Sequence, residues 1–256
     1  MQNKNLLKKQ ILVNYIHPKF WLFLPVFVTI GGILIVLITR YLAYVFNPEV
    51  FSRSLTTISN TAAFEYASQF FASSMSVIAL CIMLVWYVGH LANKNRIALL
   101  SNIEVVSRLG FINKITLILG IISCLFLILL SLISLKDNNP LHIAFSYGFF
   151  ITQTLAFVLD TTLLFKIRKY LKNSGHKHDL RFDMRPWVCI AFIINALLFY
   201  FLYLYKGSPL LANFSFTQSI YIISEYSFVF IGLMYASAYR TELRHYVNNL
   251  YGTAYN

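Results

Sequence analysis

The chain has 256 residues, of which 58% are hydrophobic and only 12% charged, and its mean hydropathy is +0.66. A soluble domain of this size carries about 25% charged residues. The shortage of charge excludes an ordinary soluble domain and indicates a membrane protein, because ionisable groups are costly in hydrocarbon. The net charge of +12 would suggest nucleic acid as partner of a soluble protein. Its distribution follows a membrane topology instead, so we expect no nucleic-acid partner.

Six apolar segments follow one another along the chain. They cover residues 20–46, 70–92, 114–135, 142–165, 186–205 and 217–238. Each is long enough to cross about 30 Å of hydrocarbon as a helix. No segment between them is long enough or apolar enough to build a soluble core. The sequence therefore predicts an all-α polytopic membrane bundle of six transmembrane helices, with residues 1–256 forming a single membrane domain.

The distribution of basic residues predicts the orientation of this bundle. Of the 21 Lys and Arg residues, all but four lie in the N-terminal segment, the second and fourth loops and the C-terminal tail. The four exceptions are Arg40, Arg53, Lys136 and Lys206. Because cytoplasmic loops are enriched in Lys and Arg, the N- and C-termini are both predicted to be cytoplasmic.

The predicted fourth loop is the densest basic segment. Its basic residues include Lys166, Arg168, Lys169, Lys172, Arg181 and Arg185. Two interpretations stay open: contact with anionic lipid headgroups, at about 1 kcal/mol per basic residue near the surface, or a role in setting topology alone. The two histidines of this loop, His176 and His178, lack a third ligand. We therefore predict no metal site, and no cofactor is indicated.

Polar residues inside the predicted spans form the second signal. The fourth span places His142, Ser146, Gln153 and Asp160 on one helical face, in steps of three and four with Phe149 and Ala156. That face is expected to point into the bundle or a cavity, because lipid cannot satisfy polar groups. Asn195 lies in the fifth span and Glu225 in the sixth. Asp160 and Glu225 lie at different depths, so no direct pair is expected between them.

These residues suggest a pocket that faces the outer side. His142 and Glu225 belong to the outer halves of their spans, and the first outer loop supplies Ser59, Asn60 and Glu65. With Ser146 and Gln153 they form the predicted lipid-binding pocket. A histidine near a carboxylate can act as a general base or bind a headgroup. The alternative is hydrogen bonding between helices that only fixes the bundle. Whether a reaction is catalysed stays open.

Three stretches carry a family resemblance. The first is LTTISNTAAFEYASQFF, from Leu55 at the outer loop into the second span, and the second is NKITLILGIISC, followed by a short loop and His142. The third is SIYIISEYSFVF, with its Glu225-Tyr226 pair. Together they resemble the FRAG/DRAM/SFK-type family of six-span membrane proteins. Thr56 stands where that family usually has Pro, and Asn60 where it often has Asp.

The resemblance implies two functions. One is lipid handling in an endomembrane (Golgi, endoplasmic reticulum or endolysosome) or the plasma membrane, as in the branch that remodels GPI-anchor lipids. The other is a non-enzymatic autophagy modulator or scaffold that organises lipid-kinase or membrane-protein partners through its basic loop. A transporter is disfavoured because no inverted repeat or broken helix is evident. A structural subunit of a larger membrane assembly also stays open.

Overall fold

The computed structural model describes residues 18–51, 56–173, 184–205 and 215–251. Within these ranges all regular secondary structure is α-helical. The helices are α1 (Pro18–Phe46), α2 (Pro48–Phe51), α3 (Ile58–Thr61), α4 (Glu65–Ile97), α5 (Ile103–Leu132), α6 (Asn139–Asn173), α7 (Arg185–Tyr205), α8 (Ser215–Ala238) and α9 (Arg240–Tyr251). Six of them, α1, α4, α5, α6, α7 and α8, correspond to helices long and apolar enough to span a membrane. The predicted all-α, six-span fold class is confirmed.

Proline and asparagine define several helix starts. Pro48 opens α2, while Pro140 and Pro186 occupy second positions in α6 and α7. Proline suits the first turn because its missing N–H would have no helical partner there. Asn102 precedes α5, and its side chain accepts a hydrogen bond from Val105 N at 3.1 Å. This cap satisfies one of the free amides at a helix start.

Three spanning helices extend well beyond the predicted apolar segments. α4 begins at Glu65 and ends at Ile97, α5 begins at Ile103, and α6 continues to Asn173. Apolarity marks only the part of a helix that lies in hydrocarbon. The helix itself continues into the polar interface, because its backbone hydrogen bonds are already made within the segment. The connection between α4 and α5 is consequently a short turn over residues 98–102.

The helices pack unevenly around the bundle. α5 packs extensively against both α4 and α6, and α1 packs against α4 and α8. α7 packs chiefly against α8 and contacts α6 much less. The bundle therefore closes tightly through α5 and leaves space between α6 on one side and α7 and α8 on the other.

One close helix contact involves α4 and α5. The side-chain amide of Asn113 donates to the carbonyl of His90 at 3.0 Å, and His90 Nδ1 bonds to the Asn113 carbonyl at 3.3 Å. Two turns further along, a Cβ added to Gly120 would lie 2.5 Å from the Trp86 ring. Asn113 and Gly120 thus hold α5 against α4, one through hydrogen bonds and the other by close approach.

The C-terminal helix α9 is docked onto the bundle. Leu243, Tyr246 and Val247 are buried and belong to the main hydrophobic core. Their spacing of three and four residues gives α9 one apolar face. The predicted C-terminal tail is therefore, up to Tyr251, an amphipathic helix that packs back on the spans.

Candidate functional site

A cavity of about 770 Å³ lies inside the bundle among α4, α5, α6, α7 and α8, and α3 covers one end. Its lining is mostly apolar, with polar residues concentrated near α3. Six of the seven predicted pocket residues line it: Ser59, Asn60, His142, Ser146, Gln153 and Glu225. The seventh, Glu65, is exposed at the start of α4 and does not line the cavity. The fold thus brings together residues that lie up to 166 positions apart.

The short helix α3 covers the end of the cavity that we predict to face outward. Thr57 caps this helix, with its hydroxyl accepting from Asn60 N at 3.1 Å. Ser59, two residues after Thr57, is held by α8: its backbone N–H and its hydroxyl both donate to Glu225 Oε1, at 3.3 and 3.2 Å. Glu225 therefore fixes the outer loop over the cavity while its carboxylate lines the interior.

Arg40 of α1 strengthens this attachment. Its guanidinium donates to the Thr56 carbonyl at 3.2 Å and to the Tyr226 hydroxyl at 2.9 Å. The same guanidinium lies 5.6 Å from the centre of the Tyr226 ring. Arg40 therefore joins α1 to the segment that precedes α3 and to α8.

His142 lines the cavity, and a backbone carbonyl fixes one of its ring nitrogens. Its side chain is only 5% exposed, and Nδ1 lies 2.6 Å from the Ile133 carbonyl. A carbonyl can only accept, so Nδ1 carries the proton in this bond. The other nitrogen, Nε2, is buried and makes no hydrogen bond to any residue that the structure describes. The neutral ring therefore offers a lone pair at Nε2.

The remaining predicted polar residues have neighbouring-helix partners. Gln153 accepts a hydrogen bond from the hydroxyl of Ser123 on α5. Asn195 donates to the Ser224 carbonyl at 2.8 Å, which joins α7 to α8. For Asn195 and Gln153 the interpretation as interhelical hydrogen bonding thus has direct geometric support, although Gln153 also lines the cavity.

An aromatic cluster forms the inner floor of the cavity. It consists of Trp86, Phe157, Phe192, Tyr235 and Tyr239, all of which are buried and line the cavity. The rings of Phe157 and Tyr235 stack with centres 3.7 Å apart, and Phe192 meets Phe157 edge-on at 4.9 Å. Such contacts favour a rigid floor.

Beneath this floor lies a buried ion cluster. Arg185 is fully buried and bonds to Asp160 Oδ2 at 3.2 Å and to Glu242 Oε1 at 2.6 Å. Arg96 pairs with Glu242, and Arg168 lies 3.9 Å from the same carboxylate. The hydroxyl of Tyr235 donates to Asp160 Oδ2 at 2.8 Å. Asp160 therefore belongs to a network that joins α4, α6, α7, α8 and α9, and the structure places it away from the outer rim.

The expectation for Arg185 is corrected by this network. It was assigned to a basic loop that contacts lipid headgroups, but its side chain is 0% exposed. The physical reason is that two buried carboxylates need a cation, and Arg185 at the start of α7 is close enough to serve both. Of the other members of that set, Lys169 and Lys172 are exposed, Lys166 and Arg168 are half-buried, and Arg181 lies outside the described residues.

Sequence reasoning missed the partners of Asp160. Glu242 and Arg96 lie outside the predicted spans, so neither was considered as part of an intramembrane cluster. Asn93 donates to Asp160 Oδ1 at 3.4 Å and was also overlooked. A signal existed for Glu242, because it immediately precedes the apolar positions Leu243, Tyr246 and Val247, whose spacing indicates a helix with a buried face.

The cavity reaches the outer surface of the bundle between α6 and α7. Four side chains line it and are also strongly exposed: Ile151 (56%) and Leu155 (48%) on α6, and Leu197 (66%) and Tyr200 (52%) on α7. This combination is expected where a cavity meets the surface. All four belong to helices that span the membrane, so this opening faces the region of lipid chains.

These features define a multi-pass integral membrane protein with an internal cavity whose polar residues gather beneath α3. The model of the Frag1/DRAM/Sfk1/Cwh43P N-terminal domain matches residues 20–246. The chain therefore belongs to the Frag1/DRAM/Sfk1 family, and the resemblance found in the sequence is confirmed. Comparison with curated proteins finds no match, and comparison with solved structures finds none either.

Proposed function

We propose that this protein binds a membrane lipid in the cavity enclosed by α4, α5, α6, α7 and α8. The observation that carries the proposal is the side opening formed by Ile151, Leu155, Leu197 and Tyr200. A water-soluble ligand would have to cross hydrocarbon to enter there, whereas a lipid is already in the bilayer. The volume of about 770 Å³ lies within the range of about 300–1,000 Å³ that is typical of ligand sites.

The distribution of polarity in the cavity supports a lipid orientation. Its inner part is bounded by aromatic rings, and its polar groups gather under α3. An acyl chain would occupy the apolar part, because a chain that moves there from the bilayer has no water of hydration to lose. The head of the lipid would lie beside Ser59, His142 and Glu225, where hydrogen-bonding groups are present. Lipid binding would be the first step of any remodelling chemistry, for which His142 would be the candidate base.

Photolabelling tests this proposal directly. The protein is placed in phosphatidylcholine vesicles that contain lipids with one common diazirine-bearing acyl chain and different heads, and labelled peptides are identified by mass spectrometry. We expect labelling of cavity-lining positions such as Phe150 and Ile151. If none of the lipids labels a cavity-lining peptide, the proposal is wrong.

A matched pair of variants tests the side opening. Leu155→Trp combined with Leu197→Trp should narrow it and lower cavity labelling about tenfold, equivalent to about 1.4 kcal/mol. The control is Phe165→Trp combined with Ile194→Trp, on the same helices. Phe165 and Ile194 are 55% and 63% exposed but do not line the cavity. Equal labelling of the two double variants would show that lipid does not enter between α6 and α7.

A second candidate function is the non-enzymatic organiser. The observation that favours it is the group of exposed basic side chains near one end of the bundle: Lys169, Lys172, Arg240 and Arg244. Changing these four residues to Gln should abolish crosslinks to partner proteins in native membranes if this surface recruits them. Unchanged crosslinks would remove this candidate and leave lipid binding unaffected.

A further inference from the structure

The cavity is long in one direction. The residues that line it follow α4 from Phe71 to Trp86, α6 from His142 to Phe157 and α8 from Tyr221 to Tyr239. At a rise of about 1.5 Å per residue, the stretches on α4 and α6 are each about 22 Å long. One leaflet accounts for about 15 Å of a hydrocarbon core about 30 Å thick. The cavity is therefore deep enough for an extended acyl chain.

The aromatic floor of the cavity lies against glycine residues of three helices. A Cβ added to Gly89 on α4 would lie 2.5 Å from the Tyr239 ring, and one added to Gly232 on α8 would lie 3.2 Å from the Phe192 ring. Gly120 on α5 makes the corresponding contact with the tryptophan of the floor. Because these rings pack directly on the backbone of a neighbouring helix, they have little room to move.

The ion cluster holds the floor from the other side. The hydroxyl of Tyr235 donates to Asp160 Oδ2 at 2.8 Å. The guanidinium of Arg185 lies 4.8 Å from the centre of the Tyr239 ring. Both tyrosines are nearly completely buried. Since charged groups occupy the space beneath these rings, an apolar chain cannot continue past the floor without separating buried ion pairs.

We propose that the aromatic floor limits the length of the acyl chain that the cavity accepts, with Phe157 and Phe192 as the residues that stop the chain. This inference rests on the proposed lipid binding and adds the chain-length specificity of the ligand. Carbon–carbon bonds of about 1.52 Å at angles of about 111° advance an extended chain by about 1.25 Å per carbon. A depth of about 22 Å thus holds about 18 carbons. A longer chain must fold back or leave through the side opening.

Competition between fatty acids of different length provides the test. The full-length protein in phosphatidylcholine vesicles is labelled by a 16-carbon fatty acid with a diazirine at its terminal carbon. Unlabelled saturated fatty acids of 12, 14, 16, 18, 22 and 26 carbons compete at equal mole fractions in the membrane. We expect the 18-carbon acid to compete best and the 22-carbon acid to be about tenfold weaker, because extra atoms do not fit a closed, packed end. The label should lie on the peptides of Phe157 or Phe192.

Two variants move the limit in opposite directions. Ala196 lines the cavity one turn before the floor, about 6 Å from Phe192 along α7. Ala196→Phe should therefore move the best competitor from about 18 towards 14 carbons. Its control is Ala144→Phe, at an exposed position of α6 that does not line the cavity. Phe192→Ala opens the floor and should remove the tenfold difference between the 18- and 22-carbon acids.

The two variants carry different risks to folding. Ala196→Phe adds a ring to open volume, whereas Phe192→Ala removes one from a packed cluster and is used only if it elutes as a single species in detergent. If the best competitor is the same in the wild type, in Ala196→Phe and in Ala144→Phe, the cavity does not measure the chain.

The wild-type results separate this inference from the proposed function. If the 22- and 26-carbon acids compete as well as the 18-carbon acid, the floor sets no limit, and lipid binding stands. A terminal label on the peptides of Ser59 or His142 would place the chain in the opposite direction and also overturn the inference. If no fatty acid labels the cavity, the chain-length limit is wrong. The proposed function fails only if the lipids with different heads also leave the cavity unlabelled.

Discussion

Buried carboxylates have different surroundings at the two ends of the bundle. At the end predicted to be cytoplasmic, Asp160 and Glu242 share Arg185, and Arg96 pairs with Glu242. At the opposite end Glu225 and His142 border an open volume of about 770 Å³. A carboxylate that is surrounded by guanidinium groups makes its ion pairs and hydrogen bonds within the protein. A residue that lines an open volume lies where a ligand in that volume can contact it.

This difference separates a structural role from a binding role for residues of the same type. The ion cluster joins five helices, since Arg96, Asp160, Arg185, Tyr235 and Glu242 come from α4, α6, α7, α8 and α9. Burying so many charges is costly unless each is paired. Their near-complete pairing indicates that this end is a fixed junction. The aromatic floor transmits that rigidity to the cavity, because Tyr235 belongs to both.

The largest effect is expected from removing the cation at the centre of the cluster. Arg185→Met leaves Asp160 and part of Glu242 buried without their shared partner, which should cost about 3–5 kcal/mol. The measurement is thermal unfolding in detergent, followed by the loss of the monodisperse gel-filtration peak. We expect a severe loss of folded protein.

An exposed cation at the same end supplies the control for Arg185. Lys172→Met removes one positive charge from the last turn of α6, where the side chain is exposed. Its unfolding temperature should stay within error of the wild type, because exposed charges contribute little. If Arg185→Met were as stable as Lys172→Met, the cluster would not be the fixed junction described above.

A smaller loss is expected at the boundary between the two ends. Gly120→Ala places a Cβ 2.5 Å from Trp86, whose ring forms part of the cavity floor. Forcing extra volume into a packed contact costs about 1–3 kcal/mol. The same thermal assay measures this change, and photolabelling reports whether the floor has moved.

Gly110→Ala is the matched control in the same helix. A Cβ at Gly110 would have nothing within 4 Å, so this substitution should be neutral or stabilise α5 by about 0.5–1 kcal/mol. A destabilisation of equal size at both positions would indicate that the effect arises from helix propensity or from the unfolded state. The difference between the two variants isolates the contact with Trp86.

The sequence predicted the architecture well because hydrocarbon imposes a simple rule. Twenty apolar residues in a row leave few alternatives to a spanning helix. Periodicity also placed His142, Ser146 and Gln153 on one face, and all three line the cavity. The orientation of the termini and the single-domain boundary stay predictions. Helix ends were less predictable, since α4, α5 and α6 continue into the interface, where apolarity no longer marks them.

The sequence alone did not predict which charged residues pair with partners far along the chain. Nothing in the local pattern around Arg185 separates it from Lys169 or Lys172, yet Arg185 is buried and the other two are exposed. Its environment is decided by Glu242, 57 residues later. In the same way, the position of Glu65 on the first outer loop suggested a pocket residue, but the turn of α4 directs its side chain to the exposed surface.

The smallest effect concerns the loop that orients His142. Ser134 donates from its hydroxyl and its backbone N–H to Asp137 Oδ2, at 2.7 and 3.1 Å. These bonds, the one from the hydroxyl first, lower the pKa of Asp137 below its ordinary value. The preceding residue is Ile133, whose carbonyl accepts from His142 Nδ1. The Ser134–Asp137 turn therefore helps to hold the carbonyl that sets the histidine tautomer.

The sign of the pH dependence follows from the lowered pKa of Asp137. The stabilisation is fully present above the ordinary aspartate pKa of about 3.9, and it is lost as the pH falls through the lower value of the folded protein. Ser134→Ala removes the hydroxyl donor, so its unfolding temperature should be below that of the wild type at pH 5, and the two should converge towards pH 3. A difference that stays constant over this range would show that the hydroxyl does not act through the Asp137 carboxylate. Asp137→Asn, which cannot ionise, should remove the pH dependence of the comparison while leaving the ion cluster at the opposite end intact.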